Sequence, residues 1–174
     1  MKFFIPAKDV RQILKGNRSA LIYPVHPDLV VSIRWHQSDG CKGSEGVSFA
    51  YVPVQTKDGE TDPQMVAYTT GRPNDGVSPL GQSPLGGVGS IVKIERNVPK
   101  CFDGEPELEI TGVSISHISE LPEAFPASTQ PIAEIQEYLQ RQSIECGEEW
   151  VWVVFFKLTS PSFVTAPSLE AEAL

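Results

Sequence analysis

The sequence predicts an α+β fold, a small, curved, mixed β-barrel with two or more flanking helices, and three observations carry that prediction. Near the carboxyl end, EEWVWVVFFKL (Glu148–Leu158) runs from Trp150 to Phe156 without a polar break. Its β-branched and aromatic content favours a strand, and a strand apolar on both faces must be covered on both. Two other segments space their apolar residues as helices do. Finally, 15 Pro and 14 Gly among 174 residues favour many short elements joined by turns over a helical bundle.

Taken in order, AKDVRQILKG (Ala7–Gly16) reads as a helix. Val10, Ile13 and Leu14 share a face, Pro6 precedes it, and Gly16 stands as a stop. LVVSIRW (Leu29–Trp35) reads as a strand, being rich in β-branched residues. VSFAYVPV (Val47–Val54) is a second strand, and Pro53 marks it as an edge or a strand end. QMVAYTT (Gln64–Thr70) is its hairpin partner across the polar turn QTKDGETDP.

Gly71–Gly87, with SPLG twice, reads as a loop. A phosphate cradle there is set aside, because a strand follows it and no Gly-Lys-Ser/Thr does. SIVKIE (Ser90–Glu95) alternates as a strand with one wet face. ELEITGVSISHI (Glu107–Ile118) sets Leu108 and Ile110 on one face, and Val113 and Ile115 restart out of step, so Gly112 marks a bulge. TQPIAEIQEYLQRQ (Thr129–Gln142) is a second helix, capped by Thr129, with Pro131 in its first turn and Ile132, Ile135 and Leu139 as its stripe. Residues 1–158 make one domain, and 159–174 are expected to form a flexible tail.

Charge is unevenly distributed within a net −8. Residues 1–42 hold seven Lys/Arg against three Asp/Glu, residues 43–100 five against six, and residues 101–174 two against thirteen. The total disfavours indiscriminate nucleic-acid binding, yet a local basic face from the first third remains open. A balance set only by solubility is the alternative. The start, MKFFIPAKDVRQ, turns charged too soon for a signal peptide, and no stretch nears the ~18 apolar residues of a membrane span, so a cytoplasmic location and no membrane partner are expected.

Cys41, Cys101 and Cys146 are widely spaced with no C-x-x-C, and His26, His36 and His117 do not cluster with them; reduced thiols and no metal are expected. WHQSDGC brings His36, Asp39 and Cys41 close, but two such residues in one loop do not make a nucleophile with its base. The acidic run ECGEEW reads as a solvated turn rather than a carboxylate pair.

The order of these parts resembles the ASCH domain, a member of the PUA-like superfamily. A short helix ends in ILKGNRSALIYPV and a later loop in GGVGSIVKIER; then come LEITGVSISHISEL, a helix and WVWVVFFKL. Members of that family tend to show I-L-x-G-x-K-T-x-T-x-R, P-G-D-x-x-x-V-R-E, L-x-V-T-x-V and a closing W-V-x-x-F-x. The likeness covers most of Phe3–Leu158, with a strand-rich insertion near residues 29–88. It implies a PUA-like barrel whose cleft beside the first helix holds RNA or a modified base.

The same resemblance weighs against amidohydrolase chemistry. Arg18 stands where the family's catalytic Lys would, and arginine stays protonated, so it cannot relay a proton. Leu21 replaces the nucleophilic Thr, Tyr23 the following Arg, and Ser90 the Asp of P-G-D; Glu95 and Arg96 reverse the Arg-Glu order. No catalytic residue and no cofactor are therefore assigned.

What the resemblance leaves is a binding surface of Lys15, Asn17, Arg18, Ser19 and Tyr23, joined by Lys93 and Arg96. Lys15 and Arg18 would meet phosphates, and Tyr23 would stack on a base. Against this stand simpler roles. Arg18 would be solvated near a helix end, Tyr23 a packed aromatic, and Lys93 and Arg96 mere solubilisers of a strand. The leading expectation is a non-catalytic RNA- or nucleotide-binding module. One alternative is an interaction subunit of a phage, defence or ribonucleoprotein assembly, using the acidic C-terminal half against a protein partner. The other is a modified-nucleoside hydrolase with altered catalytic residues.

Overall fold

Both faces of one strand are packed, and the rest of the molecule is arranged to cover them. The computed structural model describes residues 5, 7–37, 39–55, 57–95, 98, 105–121 and 150–159. The expected helix at 129–142, residues 160–174, Arg96, Cys101 and Cys146 lie outside the described residues.

In chain order the elements are α1 (Ala7–Leu14), β1 (Ala20–Pro24), α2 (Pro27–Trp35), β2 (Val47–Gln55), β3 (Thr61–Thr69), β4 (Ser78–Gly81), β5 (Ile91–Lys93), β6 (Glu107–His117) and β7 (Trp150–Leu158). They form a mixed α+β arrangement: a strongly curled half-barrel sheet in the order β1-β7-β6-β5, and a second sheet in the order β2-β3-β4. Every described pairing is antiparallel, where the expectation was a mixed barrel. Among the described residues no helix is long and apolar enough to cross a membrane.

β7 is an inner strand, hydrogen-bonded to β1 and β6. Trp150, Trp152, Val154 and Phe156 enter the main core with Val10, Ile13 and Leu14 of α1, Ile33 of α2, and Val47, Met65, Ala67 and Leu80 of the second sheet. The alternate residues Val151 and Val153 face a smaller cluster of Ala20, Ile22, Ile118 and Leu121. Period-two side-chain alternation thus serves two apolar layers at once. Each such buried side chain contributes about 1.5–3 kcal/mol.

Local signals explain the ends of α1. Its C-terminus closes with Asn17 N–H on the Gln12 carbonyl and Gly16 N–H on the Ile13 carbonyl, both 2.9 Å. That paired arrangement needs a left-handed residue, and Gly16 supplies it at φ 73°. On β6, Ile110 pairs with Phe156 and Gly112 with Phe155, so Thr111 is the extra residue of a bulge. The bulge keeps Leu108, Ile110, Val113 and Ile115 all toward the main core. Pro53 is tolerated because β2 is an edge strand.

Two further expectations are corrected. Leu29–Trp35 is helical, not a strand: Pro27 occupies the first turn, the His26 side chain accepts from the Asp28 N–H, and Arg34 lies in the last turn. These capping signals outweigh the β-branched content, and α2 buries only Ile33 fully while Val31 and Trp35 are exposed. The second correction concerns the Gly/Pro loop, which contains β4 and buries Leu80 and Leu85 in the main core.

The helix makes a discriminating stability prediction. Val31 and Ile33 would share a face in a strand, whereas here they do not. Ile33→Ala is expected to cost about 2–5 kcal/mol and Val31→Ala within about 0.5 kcal/mol, measured by urea denaturation. Equal costs would contradict α2.

Candidate functional site

Of the residues expected to edge a cleft beside α1, five lie in the turn after α1 or on β1, and Lys93 lies on β5. Lys15, Asn17 and Ser19 are exposed in the turn between α1 and β1, and Asn17 donates from Nδ2 to Gln12 Oε1 at 3.1 Å. Arg18 is buried, its side chain only 4% exposed, and its guanidinium bonds the Asp9 carboxylate on α1. It is thus not the solvated residue the sequence allowed. Tyr23 is half-buried, lies opposite Trp152 and packs against the main core.

Lys93 lies on β5, separated from β1 in the sheet by β7 and β6. Lys93 is more than half exposed and sits 3.7 Å from Glu105 and 3.6 Å from Glu107. Arg96 is outside the described residues.

A different set of residues does converge. Where β6 ends and β7 begins, His117 and Trp150 face each other across the ladder. Beside them, the C-terminal turn of α2 and the following loop bring Arg34, Gln37, Cys41, Lys42 and Gly43. With Ser119 these residues line a cavity of 540 Å³, within the usual size of a small-ligand site.

Hydrogen bonds fix the walls. The His117 ring meets Trp150 edge-to-face, centroids 5.4 Å apart at 82°, and Trp150 meets Phe49 at 5.4 Å and 67°. His117 Nδ1 accepts from the Ser119 N–H at 3.3 Å and lies 2.7 Å from Ser119 Oγ. With Nδ1 accepting, the neutral ring carries its proton on Nε2.

The loop wall is held from two sides. Gln37 Nε2 donates to the Gly43 carbonyl at 2.6 Å. From the turn after β6, the Glu120 carboxylate accepts from the Ser44 N–H at 2.7 Å and the Ser44 hydroxyl at 2.5 Å. Gly43 allows this approach: at φ 59° it is left-handed, and a β-carbon there would strike the Glu120 carboxylate.

Chemically, the cavity offers two cations, a histidine, amide and hydroxyl groups and an indole wall. Such a set suits an anionic ligand with a planar part. Among the described residues no group of three or more His, Cys, Asp or Glu side chains is placed to hold a metal. His36, weighed with Cys41 as a pair, is buried, and its Nε2 lies 2.8 Å from Ser78 Oγ.

Sequence reasoning missed this site for a definable reason. The β-branched run that contains Arg34 reads as a strand, and His117 and Trp150 are 33 positions apart. The one signal that pointed here was the positive balance of residues 1–42, which supply both Arg34 and Lys42.

Two outcomes are expected. Arg18→Ala leaves the part-buried Asp9 carboxylate without Arg18 and should cost about 1–3 kcal/mol in chemical denaturation, against about 0.5 kcal/mol or less for Lys15→Ala. Glu120→Ala should speed amide hydrogen exchange at Ser44 and cost about 1–3 kcal/mol, since the wall loses both bonds to the carboxylate. Unchanged exchange would mean that Glu120 does not hold the loop.

Comparison with protein-family models, with curated proteins and with solved structures finds no match for this chain.

Proposed function

We propose that the chain is a non-catalytic RNA- or nucleotide-binding module of ASCH type on a PUA-like scaffold, with its ligand seated in the Arg34–Lys42–His117–Trp150 cavity. The observation that carries this reading is the convergence of Arg34 and Lys42 on one concavity in a chain of net charge −8. A phosphate between a guanidinium and an ammonium gains charge-assisted hydrogen bonds, and Arg adds a planar fork that Lys lacks.

The scaffold reading draws on the part order at the sequence level. It also draws on the strongly curled antiparallel sheet, with α1 ahead of β1 and the Trp-rich strand inside. Of the cleft residues that the resemblance implied, Arg18 is occupied with Asp9. The reading therefore shifts the contact surface along the same sheet to the end where β6 meets β7.

The acidic remainder limits how much polyanion the surface tolerates. Residues 101–174 hold thirteen Asp/Glu against two Lys/Arg. A ligand held by about two cations should show a shallow salt dependence, with slope near −0.7 per phosphate contact for a single strand.

The test is equilibrium binding of short oligoribonucleotides and of nucleoside monophosphates at low salt. Arg34→Ala and Lys42→Ala should each weaken binding roughly tenfold and flatten the salt slope, while Lys93→Ala should leave both unchanged. Absence of binding by the unmodified protein at low salt would overturn the proposal.

A further inference from the structure

The last turns of α2 carry a feature that core packing does not use. Trp35 is 84% exposed and Val31, one turn earlier, is 68% exposed. Spaced i and i+4, they lie on one flank of the helix. A free-standing indole is unusual, because Trp is highly buried on average and its burial is among the largest apolar gains a chain can make.

What sits beside that flank identifies an occupant. Arg34, the residue before Trp35, lines the cavity, as does Gln37 two residues after it. Consecutive residues are separated by about 100° around a helix 10–12 Å across. Arg34, about 100° round the helix from Trp35, therefore sets one cation of the cavity on the side of the turn next to the indole. An aromatic face next to paired cations is how single-stranded nucleic acid is held: the backbone meets the charge and a base stacks on the ring. A duplex would keep its bases from the indole.

Resting on the nucleotide-binding reading above, we propose that Trp35 is a stacking platform for a base of a single-stranded nucleic acid whose adjacent phosphate is held by Arg34 and Lys42. Val31 extends the apolar flank beneath the base. The platform has no sequence preference of its own, since every base presents a π-face.

The probe is a fluorescein-labelled single-stranded hexaribonucleotide of mixed sequence, titrated at low salt, with the same strand in a duplex as comparison. Trp35→Ala should weaken binding of the single strand about 5- to 150-fold, while Trp35→Phe retains most of it. Because the side chain is exposed, both variants should melt as the parent protein does. In the unmodified protein, Trp emission should be quenched on saturation, and that quenching should shrink in Trp35→Phe.

Binding unchanged in Trp35→Ala, with Arg34→Ala still weakened, would overturn the platform and leave the binding reading standing. Equal affinity for the duplex would overturn it as well. So would a concentration-dependent dimer that Trp35→Ala dissolves without touching affinity, since the occupant would then be a second copy. No binding of either probe by the unmodified protein would remove both proposals together.

Discussion

The two-sided burial of β7 is the constraint to which the rest of the molecule answers. A strand whose successive side chains are Trp, Val, Trp, Val, Val, Phe and Phe has no face to offer water, so apolar layers must form above and below it. One layer recruits α1, α2 and the second sheet; the other recruits alternate residues of β1 and the turn after β6. The flanking strands also satisfy its backbone hydrogen bonds, which an inner strand cannot leave to solvent. Curl follows from the same packing. The Thr111 bulge adds a residue to β6 without letting its apolar set rotate outward, and local twist rises where such an insertion sits.

That constraint reaches the candidate site directly. Trp150 is the first residue of β7, 2% exposed, and it is at once a core residue and a cavity wall. Phe49 of the second sheet and His117 of β6 hold its ring at defined angles. The opposite wall belongs to the loop after α2, pinned by Gln37 and Glu120. A cavity bordered by packed aromatics and a doubly anchored loop is preorganised, and preorganisation reduces the ordering cost that binding would otherwise carry.

Two arginines of the first third show how position decides what a cation does. Arg18 follows α1 and turns inward to Asp9, tying the helix to the strand that follows it. A buried guanidinium without a carboxylate would carry a large desolvation cost, so the two groups need each other. Arg34 ends α2 with its backbone in the last helical turn, where a positive charge suits the helix dipole, and its side chain reaches the cavity rim. Both belong to the same positive stretch of sequence, which cannot distinguish a buried ion pair from a cation at a cavity rim.

By itself the sequence determined the elements whose signals are local. The spacing of Val10, Ile13 and Leu14 with Gly16 beyond them specified α1; the turn between Val54 and Gln64 specified the β2–β3 hairpin; the out-of-step Val113 specified the bulge; and the unbroken run from Trp150 specified an inner strand. The helix at α2 was also written locally, in His26, Pro27 and Asp28, but its β-branched interior read as a strand. Only tertiary structure decided the pairing of His117 with Trp150, the seating of Leu80 and Leu85 in the core, and the meeting of Arg34 and Lys42 with both aromatics. The reason is physical: periodicity and capping act over a few residues, whereas a cavity is made by strand register and loop anchoring between positions that the chain separates widely, and nothing in local spacing encodes which distant side chains will share a wall.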